Sequence, residues 1–581
     1  MNILGISYFS HDSAAALIKD GRIAAAAQEE RFSRKKHDAR FPYLSIAWCL
    51  NEGGINIAEL DYIAYFEKPS FFTHSGLEGM RKAGNFHKLV RNNLKFKGRI
   101  IAVPYRLSQA AAAFYPSCFK KSAILILDTG HDDYVTSFGQ GDNSALSLKG
   151  LLKYPHSLAL FYSAFTRYCG FKANSGEYKL MALAAYGEPI YYDLIVNRMI
   201  KINENGSFLL NRGYFDFKAG NLINYRFERL FEGRARTPET PVVKKYADIA
   251  ASAQKVIEEV LLKMCRHIHK LTREDNLCLS GPLALNCVAN SRILKEGPFK
   301  RIWIQPAASD AGAALGAALF VWYNRLRKTR PADGIRDLQD ASLLGPHYSN
   351  EDIEEVLSSA GACYVRLKPQ EIPRIAAELI AQGYIIGWFQ GRLEFGPRAL
   401  GSRSILADAR LSDINSIINQ KVKQREGFRP LAPSIMEDYA REWFDFDLPS
   451  PYMLFTAKLK ENRRCCREVS PGLDFSRPVM SEVPAVTHVD YSCRLQTVNK
   501  ENNPLFYELL NEYYRITGYP LIVNTSFNIR GEPLVCSPED ALRCFINTKM
   551  DYLAIGDFLL RKDGQAGVKA EYLKTEGFEP D

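Results

Sequence analysis

The chain opens with MNILGISYFSHDSAAALIKDGRIAAAA (residues 1–27), in which three apolar runs are separated by turn residues. Runs of six or seven mostly apolar residues bounded by polar turns are typical of buried strands. The dipeptide Asp20-Gly21 between the second and third runs is a strong hairpin signal, because both residues tolerate a positive φ. We therefore predict three strands joined by tight turns, at residues 2–8, 14–19 and 22–27.

Working outward, this opening suits one half of an actin-like or ribonuclease-H-like domain. Further along, a helix pattern at residues 372–382 precedes a strand pattern at residues 384–389, which is typical of an α/β unit. The basic, proline-containing stretch at residues 325–334 is typical of a connection between domains. The sequence thus predicts an α/β protein of two lobes, residues 1–340 and residues 341–581.

Length and composition exclude several classes of protein. A chain of 581 residues that is 46% hydrophobic and 24% charged exceeds what a single core usually serves. Its longest nearly uncharged apolar run, residues 311–323, is too short to cross a bilayer, and no secretory signal pattern opens the chain, so we expect a cytoplasmic protein without a membrane partner. The 12 cysteines include no CxxC pair, which excludes common zinc and disulfide frameworks.

A second informative stretch is WFQGRLEFGPRALGSRSILADARLSDINSIINQKVKQREGFRPLAPS (residues 388–434). It places five arginines near glycine or proline, where backbone N–H groups and guanidinium groups can surround one anion. The net charge of +10 also permits nucleic acid as a partner, but the chain carries no nucleic-acid-binding motif. We therefore expect small anionic ligands and no nucleic acid.

Four segments of the second lobe carry a specific resemblance: residues 387–408, 419–434, 484–498 and 519–542. They resemble the C-terminal domain of the O-carbamoyltransferases of nodulation-factor and antibiotic biosynthesis, and the N-terminal half resembles theirs too. The resemblance implies an actin-like N-terminal lobe, built from two ribonuclease-H-like halves, followed by a YrdC-like α/β lobe.

The same resemblance implies a reaction. The YrdC-like lobe would convert carbamoyl phosphate and ATP, with Mg²⁺, into carbamoyl adenylate, and the actin-like lobe would pass the carbamoyl group to a small-molecule acceptor of a biosynthetic pathway. The residues implied to bind carbamoyl phosphate and ATP are Arg398, Lys423, Arg429, Arg494, Asn524 and Ser526. Cationic side chains neutralise the charge that develops on phosphoryl oxygens, and Asn and Ser supply hydrogen bonds that hold the reacting atoms.

In the first lobe the resemblance implies two further sets of residues. The catalytic set is His11, Asp12, Lys36 and His37, and the nucleotide-binding set is Glu177, Lys179, Gly281 and Asn286. A hydroxyl is a weak nucleophile near neutral pH, so transfer to it needs a base or a metal. We assign the base to His11, oriented by Asp12.

The family resemblance also implies an iron or zinc ion held by two histidines and two aspartates. Asp128 and Asp310 match the two aspartates, but the histidine positions hold Tyr105 and Gln109. Two carboxylates suit hard cations such as Mg²⁺ better than iron or zinc. His131 would be a replacement nitrogen ligand or an ordinary loop histidine. We therefore predict no tight transition-metal site.

Three functions remain open on these residues: carbamoyl transfer to a hydroxyl, metal-free amide or urea formation on an amine, and a first lobe that serves only as a binding scaffold. The matching residues of the first lobe favour an active lobe. The resemblance leaves room for a homodimer, but the sequence determines neither the oligomeric state nor the acceptor.

Overall fold

The computed structural model describes residues 1–67, 86–130, 132–217, 220–465, 479–573 and 577–579. The chain divides into two compact units. The first comprises Met1–Ser33 and His37–Gln339, and the second comprises Arg34–Lys36 and Asp340–Asp581.

The N-terminal sheet of the first unit has five strands in the order β3-β2-β1-β4-β5. They are β1 Asn2–Ser7, β2 Ala14–Lys19, β3 Arg22–Gln28, β4 Tyr62–Glu67 and β5 Arg99–Pro104. The first three strands pair antiparallel, while β4 and β5 add in parallel on the other side of β1. At the hairpin between β2 and β3, Asp20 has a φ of 49° and Gly21 a φ of 85°. The three predicted strands and their hairpin are confirmed.

A second sheet of the first unit repeats this order as β14-β13-β6-β7-β8. Its strands are β6 Lys121–Leu127, β7 Tyr134–Asp142, β8 Ala145–Lys153, β13 Asn276–Ser280 and β14 Arg301–Ile304. Again the first three strands are antiparallel and the last two parallel. The repeat confirms the duplicated ribonuclease-H-like, actin-like architecture. Two small hairpins lie in the chain between β8 and β13: β9 Ile200–Ile202 with β10 Phe208–Leu210, and β11 Phe215–Asp216 with β12 Leu222–Ile223.

Helices connect the strands of the first unit. They are Glu29–Ser33, Tyr43–Glu52, Phe86–Asn93, Tyr105–Phe114, Leu158–Tyr168, Glu177–Ala184, Tyr192–Arg198, Tyr225–Leu230, Lys244–Thr272, Cys287–Glu296 and Asp310–Leu319.

Two of these helices, Tyr105–Phe114 and Asp310–Leu319, pack closely because small residues line their contact. A Cβ at Gly316 would lie 1.8 Å from the Ser108 carbonyl oxygen, so only glycine fits there. Both helices begin with a polar residue of the predicted metal site, and this packing brings those two residues together.

The second unit is built on one mixed sheet of nine strands, in the order β15-β23-β22-β16-β17-β21-β18-β20-β19. The strands are β15 Val365–Arg366, β16 Ile386–Phe389, β17 Arg403–Ala407, β18 Ala432–Met436, β19 Phe455–Lys458, β20 Ser492–Val498, β21 Leu521–Ser526, β22 Tyr552–Ile555 and β23 Phe558–Arg561. Its helices are Asn350–Ser359, Glu371–Ala381, Ile414–Ile417, Ala440–Trp443, Pro504–Thr517 and Pro538–Ile546. The α/β character of the second lobe is confirmed.

The core of the second unit explains why these elements form. Helices Glu371–Ala381 and Pro504–Thr517 lay apolar faces on the sheet, where Trp388 and Phe506 are completely buried. The predicted helix at residues 372–382 and strand at residues 384–389 appear as Glu371–Ala381 and Ile386–Phe389. In the part of the chain that the structure describes, no helix is both long and apolar enough to span a membrane.

Candidate functional site

In the first unit, Asp12 lies between two imidazoles. Its carboxylate oxygens lie 3.1 Å from His11 Nδ1 and 2.9 Å from His37 Nδ1, and the two rings lie 4.1 Å apart between centroids. His37 Nε2 lies 3.1 Å from the Ser175 hydroxyl. Asp12 is buried, whereas about a third of each imidazole is exposed, at 33% and 29%. The structure therefore brings three of the four predicted catalytic residues together, with part of each imidazole exposed.

Backbone contacts fix this cluster. The N–H groups of His11 and Asp12 donate to one carboxylate oxygen of Asp310, at 2.8 and 3.4 Å. His37 adopts a left-handed φ of 55°, and its N–H donates to the buried carboxylate of Glu30 at 2.7 Å. A non-glycine residue holds such a conformation only when its surroundings enforce it. The fourth predicted residue, Lys36, groups with the second unit.

The protonation of His11 differs from what a general base requires. Burial opposes its protonation, but the charge and hydrogen bond of Asp12 and the charge of Asp310 outweigh that effect and raise the pKa of His11 to about 10. At neutral pH His11 is therefore an imidazolium, and it donates rather than accepts a proton. The raised pKa of His11 argues against the predicted base role, and the other imidazole on Asp12, that of His37, places its Nε2 3.1 Å from the Ser175 hydroxyl.

At the predicted metal positions, a chain of hydrogen bonds links Tyr105 and Gln109. The Tyr105 hydroxyl donates to Asp310 Oδ1 at 3.2 Å, and Gln109 Nε2 donates to the Tyr105 oxygen at 2.8 Å and to the Ser309 carbonyl at 2.9 Å. The Ser280 hydroxyl donates to Gln109 Oε1 at 2.5 Å. All of these polar groups except the Ser309 carbonyl belong to buried side chains.

The phenol is held in its protonated form. Burial raises the pKa of Tyr105 well above its usual value, and the negative charges of Asp310 and Asp128 add to the rise. A neutral phenol and an amide that are already hydrogen-bonded make poor ligands for iron or zinc. The residues at the four predicted metal positions therefore do not fit the transition metal that the family resemblance implies. They are Tyr105, Gln109, Asp128 and Asp310.

Asp128 lies at the end of β6, where one of its carboxylate oxygens accepts the Gly130 N–H at 3.2 Å. His131, the replacement ligand considered above, lies outside the described residues. Among the described residues, the group whose metal-ligating atoms all lie within 4.8 Å of one another is His11, Asp12 and His37.

The residues predicted to bind a nucleotide in the first unit have visible structural roles. Glu177 accepts hydrogen bonds from the Ser163 hydroxyl at 2.6 Å and from the Asn174 N–H at 2.7 Å. Lys179, two residues along the same helix, is buried with 1% of its surface exposed.

Gly281 and Asn286 shape the start of the next helix. Gly281 has a φ of 94°, and a Cβ there would lie 2.2 Å from the Leu127 carbonyl oxygen. Asn286 caps helix Cys287–Glu296 by accepting the Ala289 N–H at 3.0 Å, and its amide also pairs with that of Gln254. A nucleotide contact for these residues remains a prediction.

In the second unit, Lys423 is buried and directed at the end of β21. Its ammonium group donates to the Ser526 hydroxyl at 3.0 Å, to the Ser526 carbonyl, and to Asn528 Oδ1 at 2.9 Å. Burial lowers the pKa of Lys423 well below its usual value, and the positive charges of Arg425 and Arg429 lower it further. A lysine whose pKa is lowered in this way binds its proton more tightly once an anion lies beside it.

Hydrogen bonds to Glu394 hold the turn that carries Arg398. This buried carboxylate accepts the N–H groups of Leu400 at 2.7 Å and Ser402 at 2.8 Å through one oxygen. On the other side, Asn524 Nδ2 reaches the Ala399 carbonyl at 3.5 Å. The structure therefore joins predicted residues of the Arg398 turn and of β21 in one region.

The remaining predicted cations take separate positions in the second unit. Arg429 forms an ion pair with Glu426 at 3.3 Å, and Arg494 lies on β20. Sequence reasoning missed Ser175, Glu394, Gln496 and Asn528 as site residues. Glu394 was visible only as an acid within the basic stretch. Gln496 and Asn528 lie in the segments at residues 484–498 and 519–542 that carry the resemblance, but no role was assigned to them, and no motif marked Ser175.

Several known proteins are similar to this chain in sequence. A family model described as Carbamoyltransferase N-terminus matches residues 2–79 and 80–319, and one described as Carbamoyltransferase C-terminus matches residues 377–562. An uncharacterised protein of Synechocystis sp. is 44% identical over 614 aligned residues, covering 100% of both chains. The nodulation protein NolNO of Sinorhizobium fredii is 35% identical, over 95% of this chain and 79% of that protein. Among solved structures, full-length HypF in its phosphate- and nucleotide-bound form is 13% identical with a TM-score of 0.34, over 57% of this chain and 56% of that chain, which is too low to carry an argument.

Proposed function

The chain belongs to the carbamoyltransferase family, and we propose that it makes carbamoyl adenylate from carbamoyl phosphate and ATP and transfers the carbamoyl group to a small-molecule acceptor. The family membership makes it a carbamoyltransferase. The two steps, the nucleotide and the acceptor are our proposal. The observation that carries it is the pairing of a cation-rich region around Lys423 with a separate His11–Asp12–His37 cluster.

Adenylate formation is assigned to the second unit. Water attacks carbamoyl phosphate, so that the bond joining the carbamoyl group to phosphate breaks and carbamate and inorganic phosphate form. A carbamate oxygen then attacks the α-phosphorus of ATP, the bond between the α-phosphorus and the bridging oxygen to the β-phosphorus breaks, and pyrophosphate leaves. Arg398, Lys423 and Arg429 would neutralise the charge on the phosphoryl oxygens, while Mg²⁺ would accompany the nucleotide. Ser526, already hydrogen-bonded to Lys423, would accept or donate at the same place. Arg494 and Asn524 complete the proposed set.

Transfer is assigned to the first unit. His37, with Nδ1 held by Asp12, would take the acceptor proton at Nε2 as the acceptor attacks the carbamoyl carbon. The bond between that carbon and the adenylate oxygen then breaks and AMP leaves. The His11 imidazolium would donate to the carbonyl oxygen while it carries negative charge. No step here runs through a transition metal.

An amine acceptor is a second candidate, and one observation favours it. The positions that the family resemblance gives to metal-binding imidazoles hold the Tyr105–Gln109 hydrogen-bond chain instead. Activation of a hydroxyl without a Lewis acid depends on the base alone, whereas an amine needs less activation. The product would then be a urea rather than a carbamate ester.

The test separates the two steps. We expect carbamoyl-phosphate-dependent exchange of labelled pyrophosphate into ATP, and we expect Arg398→Ala to lower it at least about 30-fold, corresponding to about 2 kcal/mol of lost phosphate contact. Arg366→Ala is the matched control, because Arg366 lies in the same unit and its side chain makes an exposed ion pair with Glu354 and a contact with the Phe558 ring, neither of them with a predicted site residue. His37→Ala should retain the exchange and lose transfer. If His37→Ala abolished exchange as strongly as Arg398→Ala, the assignment of one step to each unit would be wrong.

A further inference from the structure

Gln496 joins three strands of the second unit to the Arg398 turn. From β20, its Nε2 donates to the Leu400 carbonyl at 2.8 Å. Its Oε1 accepts the Ser434 hydroxyl of β18 at 2.5 Å and Asn524 Nδ2 of β21 at 2.9 Å. Gln496 is 4% exposed, and Ser434 and Asn524 are completely buried. A buried network of this kind fixes the side chains that form it.

The network also fixes which way the Asn524 amide faces. The Leu400 carbonyl can only accept, so Gln496 must direct its NH₂ group there and its oxygen towards Asn524. Asn524 must then present its own NH₂ group to Gln496, and the same group donates to the Ser434 hydroxyl at 3.0 Å. The Leu400 carbonyl therefore orients the Gln496 amide, and the Gln496 amide in turn orients that of Asn524.

This arrangement leaves Asn524 Oδ1 as a buried acceptor. Among the described residues, no donor forms a hydrogen bond with that atom. Buried acceptors are nearly always matched by a donor, so an atom of this kind indicates a ligand that donates. Anionic phosphate oxygens only accept, and they cannot be the group that Asn524 Oδ1 recognises.

We propose that Asn524 Oδ1 accepts a hydrogen bond from the NH₂ group of the carbamoyl moiety, and that Gln496 is the positioning residue that keeps this acceptor in place. The proposal rests on the proposed function, because it takes carbamoyl phosphate as the ligand of the second unit. It assigns to this contact the discrimination between a carbamoyl group and an acetyl group, whose methyl cannot donate.

The position of Asn524 favours the carbamoyl NH₂ over the other donor of this type, the exocyclic amine of adenine. The Asn524 amide also reaches the carbonyl of Ala399, the neighbour of Arg398 in the anion-binding turn. The carbamoyl nitrogen is three bonds from phosphorus, whereas ribose and purine separate the adenine amine from the phosphates. An NH₂ donor close to a bound phosphate is therefore that of the carbamoyl group.

The test uses two stable analogues and calorimetric binding to the full-length protein. Phosphonoacetamide replaces the bridging oxygen of carbamoyl phosphate by a methylene and keeps the NH₂ group, and 2-oxopropylphosphonate replaces that NH₂ group by a methyl. We expect the protein to bind the amide about tenfold to a hundredfold more tightly than the ketone. Asn524→Leu should bind both with the affinity of the ketone.

Gln496→Met tests the positioning role. It removes the three hydrogen bonds of the Gln496 amide, including the one that orients Asn524, while keeping the side-chain volume, so the preference for the amide should fall and ketone binding should stay unchanged. Gln565→Met is the matched control, since Gln565 is a buried glutamine of the same unit that bonds only the backbone of Cys363 and Arg561. It should lose stability to a similar extent and keep the full preference. A loss of preference in Gln565→Met would show that general destabilisation is the cause.

The outcomes separate this proposal from the one it rests on. If the protein bound neither analogue, the assignment of carbamoyl phosphate to the second unit would fall, and this proposal with it. Equal binding of both analogues, or a preference that survives Asn524→Leu, would overturn the Asn524 contact alone. A comparison of ATP with purine riboside triphosphate, which lacks the exocyclic amine, gives the last outcome. A preference for ATP that disappears in Asn524→Leu would assign the acceptor to adenine instead.

Discussion

Replacing Lys423 by methionine tests whether this lysine serves function or stability. Its ammonium group makes four hydrogen-bond contacts, with the carbonyl and side-chain oxygens of Ser526 and Asn528, worth about 1 kcal/mol each. Against them stands the cost of burying a charge or giving up its proton, which is of order several kcal/mol. Ser526 and Asn528 also keep their mutual hydrogen bond of 2.7 Å in the variant. We expect the free energy of unfolding to change by less than about 1 kcal/mol, with either sign.

The same variant should lose activity. If Lys423 contacts a phosphoryl group, its removal should lower pyrophosphate exchange by at least about 100-fold, or about 3 kcal/mol in the transition state. The assays are exchange and thermal unfolding, run in parallel. Lys562→Met is the matched control, because burial lowers the pKa of Lys562 to about 8 and its ammonium donates to the Ile546 carbonyl at 3.0 Å at the end of a helix. That variant should lose stability and keep exchange.

The pH dependence of the free energy of unfolding gives a further test of the role of Lys423. Lys423 has a lowered pKa when folded, so below 10.5 the unfolded chain binds more protons at this position than the folded protein does. The contribution of Lys423 to stability therefore improves as the pH rises towards 10.5 and is poorest at low pH. Relative to the wild type, Lys423→Met should gain stability as the pH falls. A variant destabilised by more than about 3 kcal/mol, with exchange lost only in proportion to folded protein, would refute the reasoning.

Two further results are expected. Tyr105→Phe removes a buried hydrogen bond to the Asp310 carboxylate, so unfolding of the first unit should become easier by about 2 kcal/mol in thermal melts, with transfer impaired and pyrophosphate exchange retained; impaired exchange would contradict this. Elemental analysis of purified protein should find far less than one equivalent of iron or zinc, because Tyr105 and Gln109 replace two imidazoles. One equivalent that disappears in His37→Ala would instead place a metal on the His11–Asp12–His37 cluster.

Local signals were enough for the opening strands of the first unit but not for its site. Asp20-Gly21 predicted a hairpin because the required φ values belong to the two residues themselves. The contact between Tyr105 and Asp310 joins residues 205 positions apart, and it depends on the close packing of two helices at Gly316. Only a family resemblance could have paired them beforehand.

Gln496 is a residue for which the local sequence pattern predicted the wrong environment. Along β20 it lies on the same face as Ser492 and Arg494, since these polar residues occupy every second position. Such a pattern is typical of a face exposed to solvent. In the structure the Arg398 turn reaches this face, and the Leu400 carbonyl accepts the Gln496 amide. Periodicity reports the alternation of a strand, but it does not report what lies over the strand.

The repeated strand order of the first unit has a consequence for how its site could arise. The turn between β1 and β2 carries His11 and Asp12, and the turn between β6 and β7 carries Asp128, so the two polar turns occupy equivalent places in the two halves. A gene that encoded one half would have presented the same turn twice in a symmetric pair. Fusion of two copies frees each turn to mutate alone. The two turns now differ in sequence, with His11-Asp12 in one and Asp128-Thr129-Gly130 in the other, a difference that no self-paired half could encode.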